Sequence, residues 1–89
     1  MSINATKAHL YEQVARIGKA LSSPKRLELL DLLAQGEKSV EQLAGQSATP
    51  VKNTSAHLRV LRQARLVETR REGQRIWYRL ADESVEAFL

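Results

Sequence analysis

The apolar residues of this chain change period once, and that change limits the fold more than any other feature. Up to Ala64 they recur every three or four positions, as on the buried side of a helix. From Leu66 to Leu80 they alternate, as on one face of a strand. The pattern predicts a mainly α fold closed by one β-hairpin.

Four helices are expected before the change. Leu10, Val14, Ile17 and Leu21 form one stripe on a first helix over 5–21. Ser23 followed by Pro24 reads as an N-cap with proline at the first helical position, where a missing N–H costs nothing. That second helix runs to about Ala34 and is stopped by Gly36; its five leucines, between Leu27 and Leu33, cover more than one face, which predicts the most enclosed element. Ser39 with Gln42 is a capping box for a short third helix carrying Val40, Leu43 and Ala44. After a polar turn over 45–49, Pro50 opens a fourth helix with Val51, Thr54, Leu58 and Leu61 on one face. Two helices joined by a tight polar turn suggest a helix-turn-helix.

Beyond Ala64, residues 66–71 read as a strand, Glu72 and Gly73 as its turn, and residues 74–80 as the return strand. Ile76, Tyr78 and Leu80 alternate with Arg75, Trp77 and Arg79, which predicts an apolar face and a mostly basic one. Asp82 can cap a last helical segment bearing Val85, Phe88 and Leu89.

Charge is distributed with a direction. Seven arginines and two glutamates lie between Arg59 and Arg79, whereas the whole chain of 89 residues has a net charge of only +4. Such a field suits a polyanion if the arginines fall on a surface shaped for one. On the fourth helix Lys52, Ala56, Arg59 and Gln63 cluster opposite the apolar side, flanked by Asn53 and Ser55. Amide, basic and small side chains match adenine, guanine and close approach in a major groove. Arg70, Arg71, Gln74 and Arg75 at the hairpin tip would reach phosphates or the next minor groove.

Other residues have plainer roles. His57 reads as a packed, hydrogen-bonded histidine, His9 as a surface residue, Trp77 as packed on a neighbouring element, Tyr78 as core, and Arg26 as the partner of an acid such as Glu28.

The segments SSPKRLELL, SVEQLA, NTSAHLRVLRQARLV and REGQRIWYRL, in that order across about 15–85, resemble the winged helix-turn-helix of the ArsR/SmtB family of bacterial transcriptional repressors. The resemblance implies a homodimer joined through first and last helices, a double-stranded DNA operator bound by the fourth helix and wing, and release when a signal binds. The dimer residues would be Leu10, Val14, Ile17, Leu21, Val85, Phe88 and Leu89. Within the family the chain is most similar to the DNA-binding halves of members that continue into a rhodanese-like sulfurtransferase domain.

Some positions depart from the family. The third helix has Val40, Glu41 and Gln42 where many members place a metal-binding cysteine pair, and the last segment has no histidine. Ala48, Thr49 and Pro50 stand in place of glycine, an apolar residue and a capping serine, and Arg65 in place of glycine.

Several classes are excluded or disfavoured. With no cysteine, disulfides, thiolate metal sites and thiol nucleophiles are impossible. A chain this short buries only about 60 to 65% of its unfolded surface, so dimerisation is the support expected. No stretch approaches the ~20 apolar residues of a membrane span, and the start lacks the order of a signal peptide, so the expected setting is cytoplasmic and no membrane partner is expected. No paired histidine and carboxylate and no phosphate-cradling glycine loop occur, so no enzyme, metal or cofactor is expected. The alternatives are a winged-helix protein-interaction module, or the DNA-binding fragment of a longer regulator whose sensing lies in a further C-terminal domain. The sequence names no effector.

Overall fold

The computed structural model describes residues 3–82. The expected last segment with Val85, Phe88 and Leu89 lies outside the described residues. In chain order the elements are α1 (Ile3–Leu21), α2 (Pro24–Ala34), β1 (Lys38–Ser39), α3 (Val40–Gln46), α4 (Val51–Gln63), β2 (Val67–Glu72) and β3 (Arg75–Leu80).

Local rules set most helix ends. Ser23 accepts a hydrogen bond from the Arg26 N–H and Pro24 opens α2. The Ser39 hydroxyl accepts from the Gln42 N–H at 3.2 Å, and the Gln42 side chain accepts from the Ser39 N–H at 3.0 Å, completing the capping box. Helix α3 runs two residues, Gly45 and Gln46, into the segment read as a turn. Pro50 caps α4 with no side-chain bond.

Arg26 corrects its sequence reading. Its guanidinium donates to the Ala20 and Lys19 carbonyls at 2.9 and 2.7 Å, closing the C-terminal end of α1, and no acid among the described residues is its partner. Its third nitrogen lies 3.3 Å from His57 Nδ1. Arginine offers only donors, so Nδ1 is the acceptor in this contact. The packed, hydrogen-bonded His57 is therefore as expected. Lys25 takes Glu28 instead, at 3.2 Å.

The core gathers Leu29, Leu30 and Leu33 of α2, Leu43 of α3, Leu58 and Leu61 of α4, and Leu66 and Val67 at the base of the ribbon, with Ala20 beneath. Helix α2 is central, but Leu27 is 41% exposed and outside that core. Val51, the first residue of α4, is also exposed. Leu21 packs against the protomer's own core, so it is less available to a partner than the stripe pattern implied.

The sheet has three strands in the order β1-β3-β2, all antiparallel. Strand β1 was not expected: Lys38 pairs with Tyr78 and Ser39 with Trp77. The hairpin register, Glu72 opposite Arg75, makes Gly73 and Gln74 the turn, one residue later than predicted. Gly73, at φ +63°, supplies the left-handed first position that a two-residue loop of this kind needs.

Candidate nucleic-acid interface

Helix α4 divides sharply. Thr54, Leu58 and Leu61 are fully buried, while Lys52, Asn53, Ala56, Arg59 and Gln63 are exposed and Ser55 is half-buried at the margin. The buried side anchors the helix, and Thr54 spends its hydroxyl on the Pro50 carbonyl at 3.1 Å. All six residues predicted for the groove thus share the outward side or its edge. The helix passes into β2 through Arg65, whose φ of +61° is left-handed; the Leu66 N–H then returns to the Leu61 carbonyl at 3.0 Å.

The ribbon differs from its predicted electrostatics. Strand alternation and register put Val67, Thr69 and Arg71 on one face with Leu80, Tyr78 and Ile76, and Glu68, Arg70 and Glu72 on the other with Arg79, Trp77 and Arg75. The second face is a ladder of compensated charge, not a basic one. Arg79 meets Glu68 at 3.0 Å, and Arg70 meets Glu72 at 2.7 Å.

Arg70 also grips Glu37, with Nη2 at 2.6 Å from Oε1 and Nε at 2.9 Å from Oε2. The Arg70 hydrogen bonds, and then its charge, hold the Glu37 carboxyl below its usual range, while the paired carboxylates push Arg70 upward. Arg70 therefore stands mid-strand in an internal clamp, in contrast to the hairpin-tip role predicted for it. Arg71, Gln74 and Arg75 do lie at or beside the tip and are exposed. Ile76, opposite Arg71, is 39% exposed, because the apolar face extends past the core there.

Trp77 fills the middle of the ladder. The guanidinium carbons of Arg70, across the strand pair, and Arg75, two residues back, each lie 5.6 Å from a Trp77 ring centroid. Its indole N–H is buried without an acceptor among the described residues. Each such cation contact is worth about 0.5 to 1 kcal/mol.

On α4, the wing and the link between them, what remains for an external anion is specific. Lys52, Arg59, Arg62, Arg65, Arg71 and Arg75 stand in none of the ion pairs among the described residues. No group of three or more histidine, cysteine or acidic residues able to hold a metal occurs among the described residues. On α1, Leu10 (56%), Val14 (58%) and Ile17 (38%) of the stripe are exposed, joined by Tyr11 (65%), which the stripe did not include because it flanks the apolar line.

Helices α3 and α4 joined by a tight turn, a polar outward face on α4 and a three-stranded sheet ending in an arginine-tipped ribbon define a winged helix-turn-helix domain. Residues 23–69 match the model of the bacterial regulatory protein, arsR family. The chain belongs to that family. It is 52% identical over 79 residues to the HTH-type transcriptional regulator Rv0324 of Mycobacterium tuberculosis, covering 89% of this chain and 35% of that protein. It is 44% identical over 72 residues to the regulator KmtR of the same organism, covering 81% of this chain and 55% of KmtR. The chain thus spans between about a third and a little over half the length of these two relatives. The solution structure of the homodimeric winged helix-turn-helix DNA-binding domain Mb0332 from Mycobacterium bovis superposes with a TM-score of 0.89 at 48% identity, covering 99% of this chain and 80% of that one.

Proposed function

We propose that this chain is the DNA-binding part of a cytoplasmic transcriptional repressor that acts as a homodimer on a double-stranded operator and performs no catalysis. The observation that carries the reading is the division of α4, whose Thr54, Leu58 and Leu61 are fully buried while Lys52, Asn53, Ala56, Arg59 and Gln63 face outward. A helix held this way offers base-reading side chains to a major groove. Ser55, at the margin, reaches a base edge or a lining phosphate. Arg71, Gln74 and Arg75 carry the wing's contact with the backbone, and Arg70 orients the wing through Glu37 instead of touching DNA.

The exposed Leu10, Tyr11, Val14 and Ile17 support a dimer, since an apolar stripe along one helix is better covered than left in water. Val85, Phe88 and Leu89 are assigned to the same interface. The chain contains no cysteine, so no thiol of its own carries a signal.

Enrichment of bound duplexes from a randomised DNA pool, followed by affinity measurements over a salt series, tests the reading. A two-fold symmetric site and a steep loss of affinity with salt are expected. Equal affinity for all duplexes, or binding indifferent to salt, would overturn it.

A further inference from the structure

A cleft of about 460 Å³ lies between α1 and α4, lined by Arg16, Lys19, Val60, Gln63 and Ala64. Arg16 and Lys19 are three residues apart on α1, so they project to the same side. Neither is in an ion pair among the described residues. The carbonyl end of α4 nearby supplies about half a negative charge, which leaves more than one positive charge uncompensated. Val60 and Ala64 give the cleft an apolar part, and the Gln63 amide can donate and accept.

Size, charge and floor select a ligand class. A single inorganic ion would leave most of this volume empty and the apolar wall unused. A small molecule with one oxyanion head for Arg16 and Lys19, and a compact apolar body against Val60 and Ala64, uses all of it.

We propose that the cleft binds a small organic oxyanion, a carboxylate or phosphate monoester with an apolar body, and that its occupancy opposes DNA binding. The regulatory half rests on the function proposed above. Gln63 lines the cleft and also lies on the outward face of α4 with Lys52, Ala56 and Arg59. A bound anion would engage Gln63 and neutralise two cations beside the groove-facing surface.

Calorimetric titration of the protein without DNA, using phenyl phosphate and benzoate as probes, tests the site independently of the DNA reading. Saturable binding of at least one probe at one per protomer is expected, weakened about tenfold or more in an R16Q/K19Q variant, as loss of charge-assisted hydrogen bonds implies. Both side chains are exposed, so an unchanged thermal midpoint would show that the variant keeps its fold. No saturable binding of either probe up to millimolar concentration, or equal binding by the variant, overturns the site. If the probes fail and the variant instead loses DNA affinity and salt slope, the two cations hold a DNA phosphate, which also overturns it. A second arm measures DNA affinity with and without probe at constant ionic strength. Weakening in the wild type and not in the variant is expected; a probe that binds without altering DNA affinity overturns the coupling alone.

Discussion

Arg70 and Glu37 lie 33 residues apart in the sequence, and three short hydrogen bonds join guanidinium and carboxylate. The pair ties the middle of the wing to the segment just before α3. Two residues on, Ser39 both caps α3 and pairs with Trp77 in the sheet. The angle between wing and helix-turn-helix is thus fixed at one corner of the molecule by a cap, a strand pair and an ion pair together.

Replacing Glu37 by glutamine should loosen that corner without removing a DNA contact. Trp77 is the single tryptophan, so its emission reports the change directly. DNA affinity should fall with the salt slope unchanged, because no phosphate contact is lost. A drop in slope equal to that of a tip arginine variant would place Arg70 on DNA.

Acid should erase the contribution of Glu37. Its folded-state pKa is depressed from an ordinary 4.5, so its stabilisation is present above that value and is lost as pH falls through the lower folded value. The thermal midpoint gap between wild type and E37Q should stay constant above the ordinary carboxyl value of 4.5 and close as pH falls below it. A gap that persisted in acid would assign it to packing.

Helix and wing variants should fail differently on an operator. K52A, S55A and R59A should each cost about 1 to 3 kcal/mol on the preferred site and relax preference at particular base pairs. R71A and R75A should weaken binding to all sequences alike, lowering the salt slope by about one unit per contact, or about two per dimer. Wing variants with full affinity and slope would favour a protein-interaction role.

Placing a charge in the α1 stripe should split the dimer. Val14 is 58% exposed in the single chain, so V14D should preserve the protomer fold while sedimentation shifts from dimer to monomer at micromolar concentration. A wild-type monomer under the same conditions would refute the interface.

Ala48 and Arg65 occupy left-handed backbone at φ +51° and +61°. Glycine relieves the side-chain strain but gains freedom in the unfolded chain, so A48G and R65G should each stabilise by no more than about 1 kcal/mol. For a domain of this size that is a midpoint rise of up to about 4 to 8 °C in thermal unfolding. A fall at either site would show that unfolded-state freedom outweighs the strain.

The parts of the protein legible in its residues are those governed within one helical turn or one strand step. Ser23 with Pro24, and Ser39 with Gln42, place two helix starts, because a cap is satisfied by backbone three residues away. The outward face of α4 follows from its period alone. Tertiary closure decided the rest. Two residues, Lys38 and Ser39, are too few to announce a strand, and they become one only because β3 arrives beside them. The turn moved from Glu72–Gly73 to Gly73–Gln74 because register is set by the whole ladder. The arginine count of the ribbon could not reveal that Glu37, Glu68 and Glu72 would neutralise one face, nor that Arg26 would turn back onto α1. A charged side chain takes the nearest group that needs it, and which group is nearest is decided by the packing of distant segments.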